Sequence, residues 1–342
     1  LETLGEALAD NTKLEVLILR ENKLKWVNYQ NFFVNMQPNR TIQKLNLQKT
    51  DLTDRVVEKL AKYLEQPGIA LADLDASKNQ ISDTGLKVLS LSLSKNHSLQ
   101  YLNLSQNKIK EDLADFVEYM KTNSTLLEIS FGGNVITNEG MSKLAQMLPF
   151  NKTLRHLDLS RNAFNDSGFD IFASALGQND GITFLDIAKN KEVTDDGSLL
   201  VLCEALTENK KLRSIDLTGI IVRKPFLKQS LDQALKRNIT LQQVIGKIPA
   251  NIISSELEQN ILIEKEVLPL FQKNYKPSKD MFNLALVESD PENHTRLNLK
   301  DQPPRLLKAA FKLMRNFDIK TVDFTQAVIH DVDGLCDGSQ SR

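Results

Sequence analysis

Three aspartates recur at one phase of this chain: Asp158, Asp186 and Asp216, 28 and 30 residues apart. Asp75 and Asn103 precede them at the same phase. Tyr101, His156 and Phe184 each stand two residues upstream of that column, and Arg161 and Lys189 stand three residues downstream of it. Carboxylates held side by side could move protons or hold a cation, and exposed rings are frequent anchors at protein interfaces. Acid–base work, however, needs an enclosed pocket that tunes the carboxylates, which an open surface does not supply. The expectation for these residues is contact with a partner, with no catalytic residue among them.

Other constellations that carry chemistry are missing from the sequence. His97, His156, His294 and His330 share no metal-ligand spacing, and neither HExxH nor CxxC occurs. Gly246-Lys247 lacks the first glycine of a phosphate loop. Asp331-Val332-Asp333-Gly334 has too few following ligands for a calcium loop. Cys203, with Leu202 and Ala205 beside it, reads as core. No cofactor, no metal and no small-molecule substrate are therefore expected.

The recurring residues are placed by a repeat. Leu14 to Asn22 has the form LxxLxLxxN, and copies start at Ile42, Leu71, Leu99, Leu126, Leu154 and Ile182, with two weaker ones at Leu212 and Leu241. The starts lie 27 to 30 residues apart. The LxL triplet predicts a short strand with its leucines inward, so the residues between them face solvent. The Asn is expected to turn inward and satisfy backbone groups at the turn. Between strands, apolar residues at helical spacing predict a helix, as in Ile81, Leu86, Leu89 and Leu93, or Phe164, Phe169, Phe172 and Leu176. Asx-x-Gly at the helix start (Asp83-Thr84-Gly85, Asn138-Glu139-Gly140, Asp166-Ser167-Gly168, Asp195-Asp196-Gly197) predicts an Asx cap and a close approach of adjacent coils at the glycine. Asn-x-Ser/Thr triplets such as Asn123-Ser124-Thr125 and Asn151-Lys152-Thr153 recur at one phase, which favours a left-handed helix end over glycosylation.

This spacing, with a full helix in each repeat, resembles the ribonuclease-inhibitor-like class of leucine-rich-repeat proteins over about residues 1–249. The resemblance implies an α/β solenoid, a horseshoe with parallel strands on the concave face and helices outside. Leu4, Leu8 and Asn11 match the closing half of a repeat helix, so residue 1 is expected to fall inside a repeat. At the far end Ile220-Ile221-Val222, Gly246 and Pro249 mark a decaying ladder. Residues 250–342 show no repeat and read as a helical cap or docking segment: helices at 255–271 and 278–287, a loop over 289–302, a basic amphipathic helix from Pro304, and a short element at 321–330.

The chain has 342 residues, 41% of them hydrophobic and 25% charged, with a net charge of −1. That balance lacks the basic face that phosphate binding needs, so neither nucleic acid nor an anionic membrane surface is an expected partner. Two cysteines, Cys203 and Cys336, fit a reducing compartment. The leading expectation is a protein-docking scaffold or adaptor subunit of a larger cytoplasmic assembly, in the manner of ciliary and cytoskeletal repeat subunits. The alternatives are a GTPase-activating protein resembling the Ran GTPase activator, and a bacterial effector that binds host proteins.

Overall fold

The computed structural model describes residues 2–22, 24, 26–220, 225–246, 296–298 and 321–323. Nine three-residue strands form one parallel sheet in strict chain order. They are β1 (Val16–Ile18), β2 (Lys44–Asn46), β3 (Asp73–Asp75), β4 (Tyr101–Asn103), β5 (Glu128–Ser130), β6 (His156–Asp158), β7 (Phe184–Asp186), β8 (Ser214–Asp216) and β9 (Gln243–Ile245). Helices α1 (Glu2–Ala9), α2 (Trp26–Asn35), α3 (Asp54–Leu64), α4 (Asp83–Leu93), α5 (Ala114–Thr122), α6 (Asn138–Ala145), α7 (Asp166–Leu176), α8 (Asp196–Glu208) and α9 (Pro225–Arg237) alternate with them. Parallel neighbours need such crossovers.

The register is the one the leucines demand. Leu45, Leu74, Leu102, Ile129 and Leu157 pair centre to centre and are buried. Their flanking strand residues are half-buried or exposed. The second leucines, Leu47, Leu104 and Leu159, are also buried, against helix residues such as Leu60, Leu89 and Phe172 in one continuous core. Strands pack about 4.8 Å apart and helices about 8–10 Å apart, so the stack bends with its sheet on the inner side.

Side-chain amides and carboxylates tie each coil to the next. In the turn after the strand, Asn79, Asn107 and Asn134 are buried. The Asn107 amide donates to Ala76 in the preceding coil and to Leu104 in its own, and its oxygen accepts the Ile81 N–H. This is the inward role read from the sequence. The helix-end asparagines differ from expectation. Asn123 and Asn209 are extended (φ −64° and −68°), not left-handed. Asn151 donates to the Met120 carbonyl of the preceding coil, and its oxygen accepts the N–H groups of Thr153 and Leu154. Asn39, Asn96, Asn179, Asn209 and Asn238 do the same. The left-handed residues lie elsewhere, in the turn just before the inward Asn, or before Thr50 in the second coil: Lys49, Lys78, Gln106, Arg161 and Lys189 have φ between 53° and 61°.

The Asx-x-Gly motif also works differently from a local cap. In α4 and α7 the caps are Ser82 and Asn165. Asp83 is the first helical residue, and its carboxylate accepts N–H groups of Lys110, Glu111 and Asp112 in the following coil. Asp54 and Asp166 hold Ser82 and Thr194 in the same way. The glycine does mark close approach: a Cβ at Gly140 would lie 2.6 Å from the Lys110 carbonyl oxygen.

At the far end Ile220 is buried, while Ile221 and Val222 lie outside the described residues. So do the helices read at 255–271, at 278–287 and from Pro304. Arg296–Asn298, inside the stretch read as a loop, is a strand, β10; it pairs in parallel with β11 (Thr321–Asp323).

Candidate functional site

The solvent face of the sheet carries the residues singled out from the sequence. Its middle column is built by local chemistry. Asp75, Asn103, Asp158, Asp186 and Asp216 each end a strand and accept, through Oδ1, the N–H two residues on, at 2.8–3.0 Å. Such Asx turns explain why this position takes Asp and Asn. Two of the second oxygens are also engaged: Asp75 Oδ2 accepts from Asn46 Nδ2 at 3.2 Å, and Asp158 Oδ2 from Ser130 Oγ at 2.6 Å.

Asp158, Asp186 and Asp216, with Arg161 and Lys189, line a single cavity of about 340 Å³. Burial pushes the half-buried Asp186 carboxyl up; the flanking Asp158 and Asp216 charges add to that, against the Ala188 N–H and Lys189. The cavity exists because coil five has no side chains there. Gly132 and Gly133 form its wall, and a Cβ on Gly132 would sit 2.4 Å from Asp158 Oδ2. Ser105, Gln106, Ser160, Ala188 and Thr218 complete the lining.

Beside the cavity runs the column Tyr101, Glu128, His156 and Phe184, aligned across β4 to β7. His156 Nδ1 lies 3.2 Å from Glu128 Oε2, and this bond, outweighing burial, holds the Glu128 carboxyl below its ordinary range. The His156 and Phe184 rings meet edge to face with centroids 5.6 Å apart. Tyr101 is exposed at the head of the column. Asp75 and Asn103 belong to the middle column but lie off the cavity, which coil four reaches through Ser105 and Gln106. Those two residues, Glu128 and the glycines were not foreseen as site residues. The glycines left a signal, since Gly132-Gly133 places two glycines side by side where each of the other coils from Arg20-Glu21 to Thr218-Gly219 keeps at least one side chain.

Among the described residues no group of three or more His, Cys, Asp or Glu side chains is placed to hold a metal ion, and no helix is long and apolar enough to cross a membrane.

A family model described as "Leucine Rich repeat" matches residues 95–111, 122–145 and 150–169. The mouse (Mus musculus) protein "NACHT, LRR and PYD domains-containing protein 14" is 34% identical over 113 residues, 33% of this chain and 11% of that protein. The chain thus spans about a ninth of the length of that relative. Among solved structures, an internalin (inlF) from Listeria monocytogenes covers 71% of this chain and 57% of its own, at 20% identity and a TM-score of 0.43. The leiomodin-1 actin-binding site 2 structure covers 44% of this chain and 91% of its own, at 21% identity and a TM-score of 0.41. With the LxxLxLxxN pattern returning in phase with β1 to β7 of a nine-stranded parallel sheet and weakening at β8 and β9, and the family model matching three stretches of it, the chain is a leucine-rich-repeat protein.

Proposed function

We propose that this array docks another protein on the solvent face of β4 to β8, as a scaffold or adaptor subunit of a larger assembly. The helix in each coil supports its place in the ribonuclease-inhibitor-like class. The observation that carries the reading is the juxtaposition of a column of exposed Tyr101 and His156 and half-buried Glu128 and Phe184 with a cavity floored by Asp158, Asp186 and Asp216. Rings supply contact area at low entropic cost, and carboxylates select a cationic side chain while excluding acidic competitors. A partner segment with a Lys or Arg beside an apolar residue fits both columns at once.

The test is cross-linking and co-purification from the native source, followed by binding of the captured partner to Tyr101→Ala, Phe184→Ala and Asp186→Asn/Asp216→Asn variants. The reading expects cross-links on β4 to β8, an affinity loss of about tenfold or more for a ring deletion, and a weaker salt dependence for the double Asn variant. Unchanged affinity in all of these would move the contact off this face.

A further inference from the structure

The rim of the sheet ahead of β6 to β8 collects positive charge. The residues that lead these strands are Arg155, Thr183 and Arg213. Backbone bonds hold them in one row: the Thr183 N–H donates to the Arg155 carbonyl and the Arg213 N–H to that of Thr183, both at 2.8 Å. The two arginines therefore stand two strand spacings apart, about 10 Å, with one short side chain between them. Lys152 and Lys210 each follow a buried helix-end Asn and are exposed, and Lys211 is half-buried. Ahead of β4 and β5 the lysine phase holds His97 and Ser124, and the leading residues are Gln100 and Leu127.

These side chains are held in place and act on one another. Arg155 Nη1 donates to the Lys152 carbonyl at 2.7 Å and to the Gly181 carbonyl of the next coil at 3.0 Å. Gly181 is buried, and a Cβ on it would lie 2.9 Å from the Asn151 and Leu154 carbonyl oxygens. The middle coil thus puts only Asp180 and Thr183 on the rim. Burial pushes the Lys211 ammonium below its ordinary range; Asp180 opposes this, and the charges of Arg155, Arg213 and Lys152 add to it. Four cations share this stretch in a chain whose net charge is −1.

Like charges gathered this way repel, and an anion of several charges relieves them. The extent of the patch selects the anion. The aspartates of the cavity lie three residues along each strand, about 10 Å away, and repel a long polyanion laid across the face. Nucleic acid and anionic membranes need a broader basic surface. A short run of carboxylates fits, because a guanidinium takes a carboxylate through two parallel N–H bonds. The same 10 Å or so is about three residues of extended chain, so carboxylates here and a cation in the cavity can belong to one segment.

We infer that this rim receives a short acidic run, two or more Asp or Glu side chains, of the docked protein. The assignment deepens the docking reading and rests on it for the source of the acidic run; the rim itself is tested without that protein.

Hexaglutamate is titrated into the full chain at low salt while the lysine and arginine side-chain resonances are followed by NMR. The expected result is saturable binding that moves the Lys152, Arg155, Lys211 and Arg213 signals, raises the pH at which Lys211 titrates, and fades at about 0.3 M salt. Lys152→Gln/Lys211→Gln should weaken it about tenfold, and Lys152→Glu, at an exposed position, should weaken it alone. Lys87→Gln/Lys110→Gln, which removes two cations paired with Asp115 and Glu111, should leave it unchanged. Equal losses in the two double variants overturn the assignment, as do a Lys211 signal unmoved at saturation and tighter binding of hexathymidylate than of hexaglutamate. With the native partner, a carbodiimide, which joins carboxylates to amines in contact with them, should link partner Asp or Glu residues to Lys152, Lys210 or Lys211. Links at other lysines alone overturn the assignment and leave the ring and aspartate contacts standing. Ring and aspartate variants that bind the partner normally remove the docking reading and leave hexaglutamate binding as it was.

Discussion

Asp186 shows how one residue serves the turn and strains the surface at once. Its Oδ1 holds the Ala188 N–H, while its charge is half-buried between two like charges. A carboxyl whose folded pKa lies above its unfolded value makes ionisation work against folding. That penalty is absent at pH values below the unfolded pKa and is in full force once pH has risen past the folded one. Asp186→Asn keeps an oxygen for the Ala188 N–H and removes the charge. Thermal melts from pH 3.5 to 8 are expected to show the variant more stable at neutral pH, by on the order of 0.5 kcal/mol, with the gain vanishing below about pH 4. A gain that persists at low pH would point to packing instead of charge. The left-handed turn residues make a second case. Lys78 sits at φ 55°, a conformation that costs an L-residue about 1–2 kcal/mol and glycine nothing. Lys78→Gly is therefore expected to be neutral or stabilising, whereas Lys87→Gly, inside α4, should cost about 1 kcal/mol. Chemical denaturation of the two variants compares them directly.

Within each coil, strand, helix and turn were all legible, because a hydrophobic pattern of period two beside one of period 3.6 can be satisfied in few ways. The clamps between coils were not. Local rules read Asp83 as a helix cap and Asn151 as a left-handed helix end, since capping rules look a few residues along the chain. The partners of these side chains are backbone groups 27 to 31 residues away. The same geometry accounts for the Asn-x-Ser/Thr triplets. At Asn96, Asn151 and Asn238 the amide nitrogen that a glycan would occupy is buried against the preceding coil, and Ser98 Oγ donates to the Leu71 carbonyl there as well. Each buried backbone group left unpaired costs about 1–3 kcal/mol. Asn151→Ala strands the Met120 carbonyl and the N–H groups of Thr153 and Leu154. It should therefore cost about 3 kcal/mol or more, while Lys152→Ala, at the exposed position next to it, stays within about 0.5 kcal/mol. Equal effects at the two positions would remove the clamp from the energetics of the stack.

At the scale of the whole molecule, the strand order β1 to β9 means that each coil meets its neighbours and little else. The fold class was legible for that reason: one repeat read correctly gives all of them. The cavity was not, because it comes from a difference between coils, the glycines of coil five set against the aspartates of coils six to eight. A stack of this kind has a stability that is roughly a sum of coil and interface contributions. Removing one whole period should therefore leave a folded protein. Deleting His156–Thr183 joins Arg155 to Phe184, so that Glu128 faces Phe184 and Ile129 faces Leu185, with every leucine still inward. Deleting His156–Phe169, half a period, leaves the latter half of α7 where β6 should be and puts polar residues into the core. The full-period variant is expected to unfold cooperatively with a melting temperature a few degrees lower, and the half-period variant to lose its cooperative transition. The full deletion also removes His156, Asp158 and Arg161, and it brings Tyr101 one strand closer to Phe184. Partner binding should then fall far more than stability does. Stability that collapses equally in both variants would show that the coils are not interchangeable units, and full binding by the folded full-period variant would place the docking surface away from β4 to β8.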